Sequence, residues 1–173
     1  MGCHVRRRTD YRSVEASEFR LAMRNLASGV AIVATGIDDG RRGLTVSSVT
    51  SLSMEPPCLL VGINTNSETH DAILTNGGFG VSLLRGDQQE LALRFAGRDG
   101  AKGAQRFQAA PWEQGMLGVP ILQTAISSLE CVLHHHQVVG THGLFVGRII
   151  ATRGGEGAPL VNFQGALRAL PQS

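Results

Sequence analysis

Three groups of residues in this chain have the types and spacing to do chemistry. The first is Gly43-Leu44-Thr45-Val46-Ser47-Ser48-Val49-Thr50-Ser51-Leu52-Ser53, closed by Pro56-Pro57, with six hydroxyls and no charge. As one strand, it would set Thr45, Ser47, Val49, Ser51 and Ser53 on one face and Val46, Ser48, Thr50 and Leu52 on the other. Neither face is cleanly apolar, so neither gains much by packing on a core. Such a surface suits an uncharged, planar, hydrogen-bonding ligand that comes close to the backbone. It also suits an edge strand whose hydroxyls bond locally to the backbone. The second group is Asn64, Ser67 and Thr69. At a helix start, hydroxyls and free amides make a phosphate seat, though Ser67 also reads as a plain cap. Together the two groups point to a ligand with a planar ring and a phosphate tail. The third group is histidine. His134 and His136 would share a strand face, but no third ligand stands at a defined spacing, so solvated strand histidines and no metal are expected. His142 sits in the glycine-bracketed turn Gly140-Thr141-His142-Gly143, free to reach a ligand.

Several common machineries are excluded. The chain has no G-x-G-x-x-G, no G-x-x-x-x-G-K and no G-x-S-x-G, so a nucleotide would not be held by a Rossmann or P-loop cradle. Net charge is +2, too small to argue for nucleic acid. No apolar run has the length of a membrane span. The three cysteines, Cys3, Cys58 and Cys131, are far apart and include no C-x-x-C. They predict neither a disulfide framework nor zinc, and a cytoplasmic location. Cys58 and Cys131 lie in apolar runs and read as buried small hydrophobes.

Positioning these groups requires a β-rich scaffold. With 173 residues, 22 glycines and eight aromatic side chains, the chain predicts one turn-rich domain over residues 16–173, preceded by a flexible basic arm over residues 1–15. Ser17 is placed to cap a helix whose apolar stripe is Phe19, Ala22, Met23 and Leu26. Val30 to Ile37 reads as a buried strand, hairpinned through Asp38-Asp39-Gly40 onto the hydroxyl stretch. Cys58–Ile63 and Phe79–Leu84 are further strands, with a short helix from Glu68 to Thr75 between them. Asp87-Gln88-Gln89-Glu90 reads as a capping-box variant opening a helix to Ala96. Residues 97–120 should be mostly irregular, with a short extended piece at Phe107–Ala110. Ile126–Val139, Leu144–Thr152 and Leu160–Phe163 complete the strands. Strands seldom alternate with long helices, which favours an antiparallel barrel with a few covering helices.

In this order the pieces resemble the short-chain flavin reductases of two-component monooxygenases. The resemblance runs from Phe19 to about Leu170. It is carried by Phe19-x3-Met23-x5-Gly29-Val30, by Gly43-Leu44-Thr45-Val46-Ser47-Ser48-x2-Ser51-x-Ser53-x2-Pro56-Pro57, and by Asn64-x2-Ser67-x-Thr69. Phe79 to Leu84, Arg94-Phe95-Ala96-Gly97, Leu129-Glu130-Cys131, His142-x2-Phe145-Val146-Gly147 and Pro159-Leu160 add to it.

The resemblance implies a mainly β fold, an antiparallel Greek-key split β-barrel of the FMN-binding type. It implies FMN or FAD as flavin, NADH or NADPH as hydride donor, a homodimer, and a monooxygenase partner that receives reduced flavin. By resemblance, Leu44, Thr45, Val46, Ser47, Ser48 and Ser51 line the isoalloxazine. Asn64, Asn66, Ser67 and Thr69 hold the ribityl chain and phosphate, and Arg94 and Phe95 sit near the phosphate or an adenosine. Asn25, Ser28, Gly29, His142 and Phe163 fall on the nicotinamide side, with His142 as the catalytic candidate. Two alternatives keep the flavin: an enzyme acting directly on an organic intermediate, and a non-catalytic flavin- or haem-binding module. Two departures concern the nicotinamide side. The family's Gly-Asp-His turn is Gly140-Thr141-His142 here, and Asn162 and Leu167 stand where aromatic residues are usual.

Overall fold

The computed structural model describes residues 12–171, so most of the basic arm expected over residues 1–15, and Cys3, lie outside the described residues. The order of elements is α1 (Ala16–Met23), β1 (Ser28–Gly29), β2 (Ala31–Thr35), β3 (Arg42–Val46), β4 (Val49–Met54), β5 (Pro57–Asn64), α2 (Glu68–Asn76) and β6 (Gly78–Leu83). Then follow α3 (Gln89–Phe95), β7 (Trp112–Gln114), β8 (Pro120–Leu122), β9 (Ser127–Val139), β10 (His142–Gly154), β11 (Leu160–Phe163) and β12 (Ala166–Ala169). The fold is mainly β, as expected. Among the described residues no helix is long and apolar enough to cross a membrane.

Seven strands form one antiparallel sheet in the order β3-β2-β6-β9-β10-β5-β4. The hydroxyl stretch is therefore two strands, not one. It supplies β3 at one edge and β4 at the other, with Ser47-Ser48 as the bend between them. Val46 and Val49 are three residues apart, so the two edges approach within about 11 Å. The sheet must curl to allow this. Ser48 secures the bend from both sides: its hydroxyl donates to the Gly62 carbonyl at 2.7 Å, and its carbonyl accepts the Gly62 N–H at 3.3 Å. No ladder of hydrogen bonds joins β3 to β4 among the described residues, so the sheet stays open.

Two apolar clusters flank β2. Ala31 and Val33 face Val61, Ile63, Phe79, Val81, Cys131 and Phe145 inside the curl. Val30, Ile32 and Ala34 face Leu91, Phe95, Phe107, Leu122 and Leu160 beneath α3. Burial on both sides is why this segment reads as a continuous apolar run rather than an alternating one. Cys58 and Cys131 are buried free cysteines. Burial, ahead of the neighbouring Cys58 and Glu130, pushes the Cys131 thiol up to about 12.

Several local expectations are corrected. Helix α1 begins after Glu15, not Ser17, and has no side-chain cap. Asp87 does not cap α3, because both of its carboxylate oxygens are held by the Arg85 guanidinium. Phe107–Ala110 is not extended: a 3-10 turn covers Gly103–Ala109 and buries Phe107 under α3. The short strands β1 and β12 were not foreseen. They pair on either side of β11 as a separate three-stranded sheet, and strands of two and four residues give too little pattern to read.

Candidate active site

The turn before α2 is built by local hydrogen bonds. The Asn64 side-chain carbonyl accepts the Asn66 N–H at 2.9 Å, closing an Asx turn. Ser67 is the N-cap of α2 and accepts the Thr69 N–H at 3.2 Å. Asn66, Ser67, Glu68 and Thr69 then form one wall of a cavity of about 310 Å³. The opposite wall is Arg42, Gly43, Lys102, Gly103 and Arg106. Three cations and the positive end of a helix therefore converge on one space, which suits a phosphate.

Two of these cations are held by backbone carbonyls. The Arg106 Nη1 donates to Gly43 at 2.9 Å and Phe95 at 3.2 Å, and its Nε donates to Ala101 at 3.0 Å. The Arg42 Nη1 donates to Asp39 and Arg41 at 3.0 and 2.8 Å. The bond from Arg106 places the Gly43 carbonyl on the open edge of β3, away from β2. Residues two apart on a strand share an edge, so the Thr45 amide and carbonyl point along the same open edge.

A second cavity, of about 460 Å³, lies at the bend. Ser47 and Ser48 meet Ser28, Asn162, Gln164 and Gly165 there, with Arg20, Met23, Arg24 and Leu26 from the α1 segment across them. The α1 segment is tied to the β11–β12 turn in both directions: the Arg24 guanidinium donates to the Gln164 carbonyl and the Gln164 N–H to the Arg24 carbonyl, each at 2.8 Å. Gly43 lines the first cavity and Ser47 the second. They lie four residue steps apart along the chain, about 13 Å. One open strand edge thus joins a cationic, phosphate-sized cavity to a hydroxyl-lined one.

Residues 23–171 match the flavin reductase like domain family. The chain belongs to that family. It is 37% identical over 165 residues to the FMN reductase (NADH) RutF 2 of Methylorubrum extorquens, covering 95% of each protein. It is 36% identical over 142 residues to the 4-hydroxyphenylacetate 3-monooxygenase reductase component of Salmonella typhimurium, covering 80% of this chain and 84% of that one. Its fold superposes with a TM-score of 0.84 on BorF, the flavin reductase component of a bacterial two-component tryptophan halogenase. That match has 32% identity over 92% of this chain and all of BorF.

Against that family, the residues singled out from the sequence fall into distinct places. Asn66, Ser67 and Thr69 line the first cavity, and Ser28, Ser47 and Ser48 the second. Leu44 and Val46 turn their side chains to the core, and the Thr45 hydroxyl donates to Ala92 of α3 at 2.6 Å. Of these three, only Thr45 has its backbone groups on the open edge; those of Leu44 and Val46 face Val33 and Ala31 of β2. Ser51 falls elsewhere. It lies beyond the bend on β4, beside Met54, Cys58 and Ile149, and lines neither cavity.

Phe95 and Arg94 also lie away from both cavities. Phe95 is 1% exposed and packs on Phe107 and Trp112, with ring centroids 5.0 and 5.4 Å away, so it offers no face to a ligand. The Arg94 guanidinium is spent on the loop that carries Arg106: it binds Asp99 at 2.7 Å and the carbonyls of Gln105 and Arg106. Asn25 and Gly29 lie beside the second cavity in sequence without lining it, as does Phe163 on β11. His142 starts β10 opposite Asn64 and lines neither cavity. Thr141, which stands in place of a carboxylate, has its hydroxyl 2.9 Å from the His142 Nδ1.

Sequence reasoning missed Arg42, Lys102 and Arg106. Arg42 was legible as the cation just before an uncharged stretch. Lys102 and Arg106 were not, because only the path of the 97–109 loop brings them back to β3. Sequence reasoning also mispaired the histidines. A bulge at His134 shifts the alternation of β9 and puts His136 opposite Phe145. There its Nε2 lies 3.2 Å from the Nε2 of His70, whose other nitrogen is 2.8 Å from Asp71. His134 and His135 remain exposed. No group of three or more metal-ligating side chains gathers among the described residues.

Burial, ahead of the neighbours His70 and His135, holds His136 below its ordinary pKa. As pH falls below about 6.5, the unfolded chain takes up a proton that folded His136 resists. Stability is therefore present above that pH and is lost progressively as the pH falls towards the folded value. The thermal midpoint is expected to drop between about pH 7.5 and 5.5, and His136→Gln to remove part of that drop. Differential scanning fluorimetry across that range measures it. An unchanged drop in the variant would assign the effect to other groups.

Proposed function

We propose that this chain is an NADH-dependent flavin reductase, acting on FMN, that supplies reduced flavin to a separate oxygenase. The observation that carries the reading is the pair of cavities joined by the Gly43–Ser48 edge. The donor set fits the ligand: cations and a helix N-terminus suit the phosphate, and an open strand edge flanked by hydroxyls suits the ring. The names of the relatives support NADH and FMN, and those of a monooxygenase component and a halogenase component support a partner that consumes reduced flavin.

Arg42, Lys102, Arg106 and the positive end of α2 would hold the phosphate; the Ser67 and Thr69 amides are already bonded to the Asn64 carbonyl and the Ser67 hydroxyl. The open-edge backbone of Thr45, with Ser47 and Ser48, would hold the ring. Ser28, Asn162 and the α1 segment would receive the nicotinamide. When bound, flavin and nicotinamide supply the redox chemistry, a hydride passing from one to the other. The chain's task is to hold both in register, to offer N–H donors where negative charge grows, and to let the product leave. No carboxylate or lysine general base is needed; His142 lines neither cavity.

The same reading includes a single domain over residues 16–173, a sheet curled as a split barrel, and a homodimer in the cytoplasm. The homodimer is supported by α1, which buries none of its residues and leaves Phe19 and Met23 59% and 44% exposed. Steady-state assays crossing NADH and NADPH with FMN, FAD and riboflavin test the proposal. Turnover is expected to be fastest with NADH and FMN. Absence of nicotinamide oxidation with every pair would overturn it.

A further inference from the structure

The first cavity already contains an anion of its own. Glu68, at the first position of α2, lines the cavity and has its carboxylate 3.1 Å from the Arg42 Nε. It therefore takes two of the interactions a phosphate would seek, the Arg42 guanidinium and the positive end of the helix. The two partners differ in freedom. The Arg42 side chain is 32% exposed and is anchored to the carbonyls of Asp39 and Arg41, whereas that of Glu68 is 72% exposed. An exposed pair of this kind contributes little to stability, so Glu68 can swing away while Arg42 stays in place.

We infer that Glu68 is an internal competitor for the flavin phosphate, and that it weakens flavin binding so that reduced flavin is released. The inference rests on the reading above that this cavity receives the phosphate. On binding, the phosphate takes over Arg42 and the carboxylate moves to solvent. On release, the carboxylate recaptures Arg42 and leaves the cation paired. While the ligand is bound, the displaced carboxylate still repels it from the cavity rim. A single charge facing a phosphate dianion near a protein surface alters binding by about three- to tenfold. No protein atom other than the Glu68 side chain need move.

A purely structural role for Glu68, as a favourable acidic residue in the first turn of a helix, would affect folding and not distinguish between flavins. The test is fluorescence titration of wild type, Glu68→Gln and Glu68→Lys with FMN and with riboflavin, which has no phosphate. Glu68→Gln is expected to bind FMN about three- to tenfold tighter, to bind riboflavin as wild type does, and to release FMN more slowly in stopped flow. Glu68→Lys should shift FMN further in the same direction. An unchanged ratio of FMN to riboflavin affinity in both variants would overturn the inference while leaving the reductase assignment standing. Wild type that binds FMN no better than riboflavin would overturn the phosphate reading itself, and the inference with it.

Discussion

Arg106→Ala is expected to weaken FMN binding by about tenfold to a hundredfold, the cost of losing a charged hydrogen-bonding partner. The side chain does two jobs in one place. Its Nη1 ties the Gly43 carbonyl of β3 to the Phe95 carbonyl at the end of α3, and its Nε holds the Ala101 carbonyl. Its charge lines the cavity opposite the start of α2. Alanine leaves three carbonyls without this donor and removes one of three cations. The thermal midpoint should fall as well. Arg106→Lys separates the two effects. A lysine keeps the charge but loses the planar fork, so FMN affinity should recover in part while the midpoint stays low. Riboflavin affinity should fall much less than FMN affinity in both variants. Fluorescence titration and thermal unfolding make the comparison. An equal loss for FMN and riboflavin would mean that Arg106 acts only by holding β3 in place.

The second large effect is on folding. Phe95→Ala is expected to cost about 3–5 kcal/mol, the usual loss for a fully buried aromatic ring, and to lower the midpoint by roughly 6–20 °C. Phe95 sits edge-on to Phe107, with an interplanar angle of 86°, and also touches Trp112. Its ring fills the space beside Gly43, where an added Cβ would lie 2.9 Å from the Phe95 Cε1 and 3.1 Å from the Val33 carbonyl. The stretch that carries the proposed ring site is therefore seated on this aromatic cluster through a glycine. Phe95→Leu should lose less stability and keep FMN affinity within about twofold, since it fills most of the same volume. Denaturant unfolding and FMN titration of both variants check this. A Phe95→Leu protein with wild-type stability but no FMN binding would return Phe95 to the site.

Both effects concern residues whose roles are invisible one position at a time. Arg94-Phe95 stood out in the sequence as a motif near the flavin. In the fold, Phe95 is core and Arg94 braces the loop that presents Arg106. Ser51 likewise belongs to the hydroxyl stretch by sequence and to another surface by structure, because the bend at Ser47-Ser48 sends β4 to the opposite edge of the sheet. The histidine run misled for a related reason: one bulged residue, His134, changes which side chain faces the core.

What the sequence by itself determined is whatever short-range hydrogen bonding and strand patterning control. The Asx turn at Asn64, the Ser67 cap, the left-handed Gly77 that ends α2, and the doubly buried run of β2 all depend on residues a few positions apart or on apolar content alone. The hydroxyl stretch was legible as an anomaly, a strand with no apolar face. Only the tertiary structure decided what resolves that anomaly. The stretch bends once and supplies both edges of a curled sheet, so its side chains need not build a continuous face. The tertiary structure alone also gathered Arg42, Lys102 and Arg106 around α2 and set Glu68 against Arg42. Those charges are exposed or half-exposed and carry no period. Their convergence follows from sheet register and the route of one glycine-rich loop, which no local rule encodes.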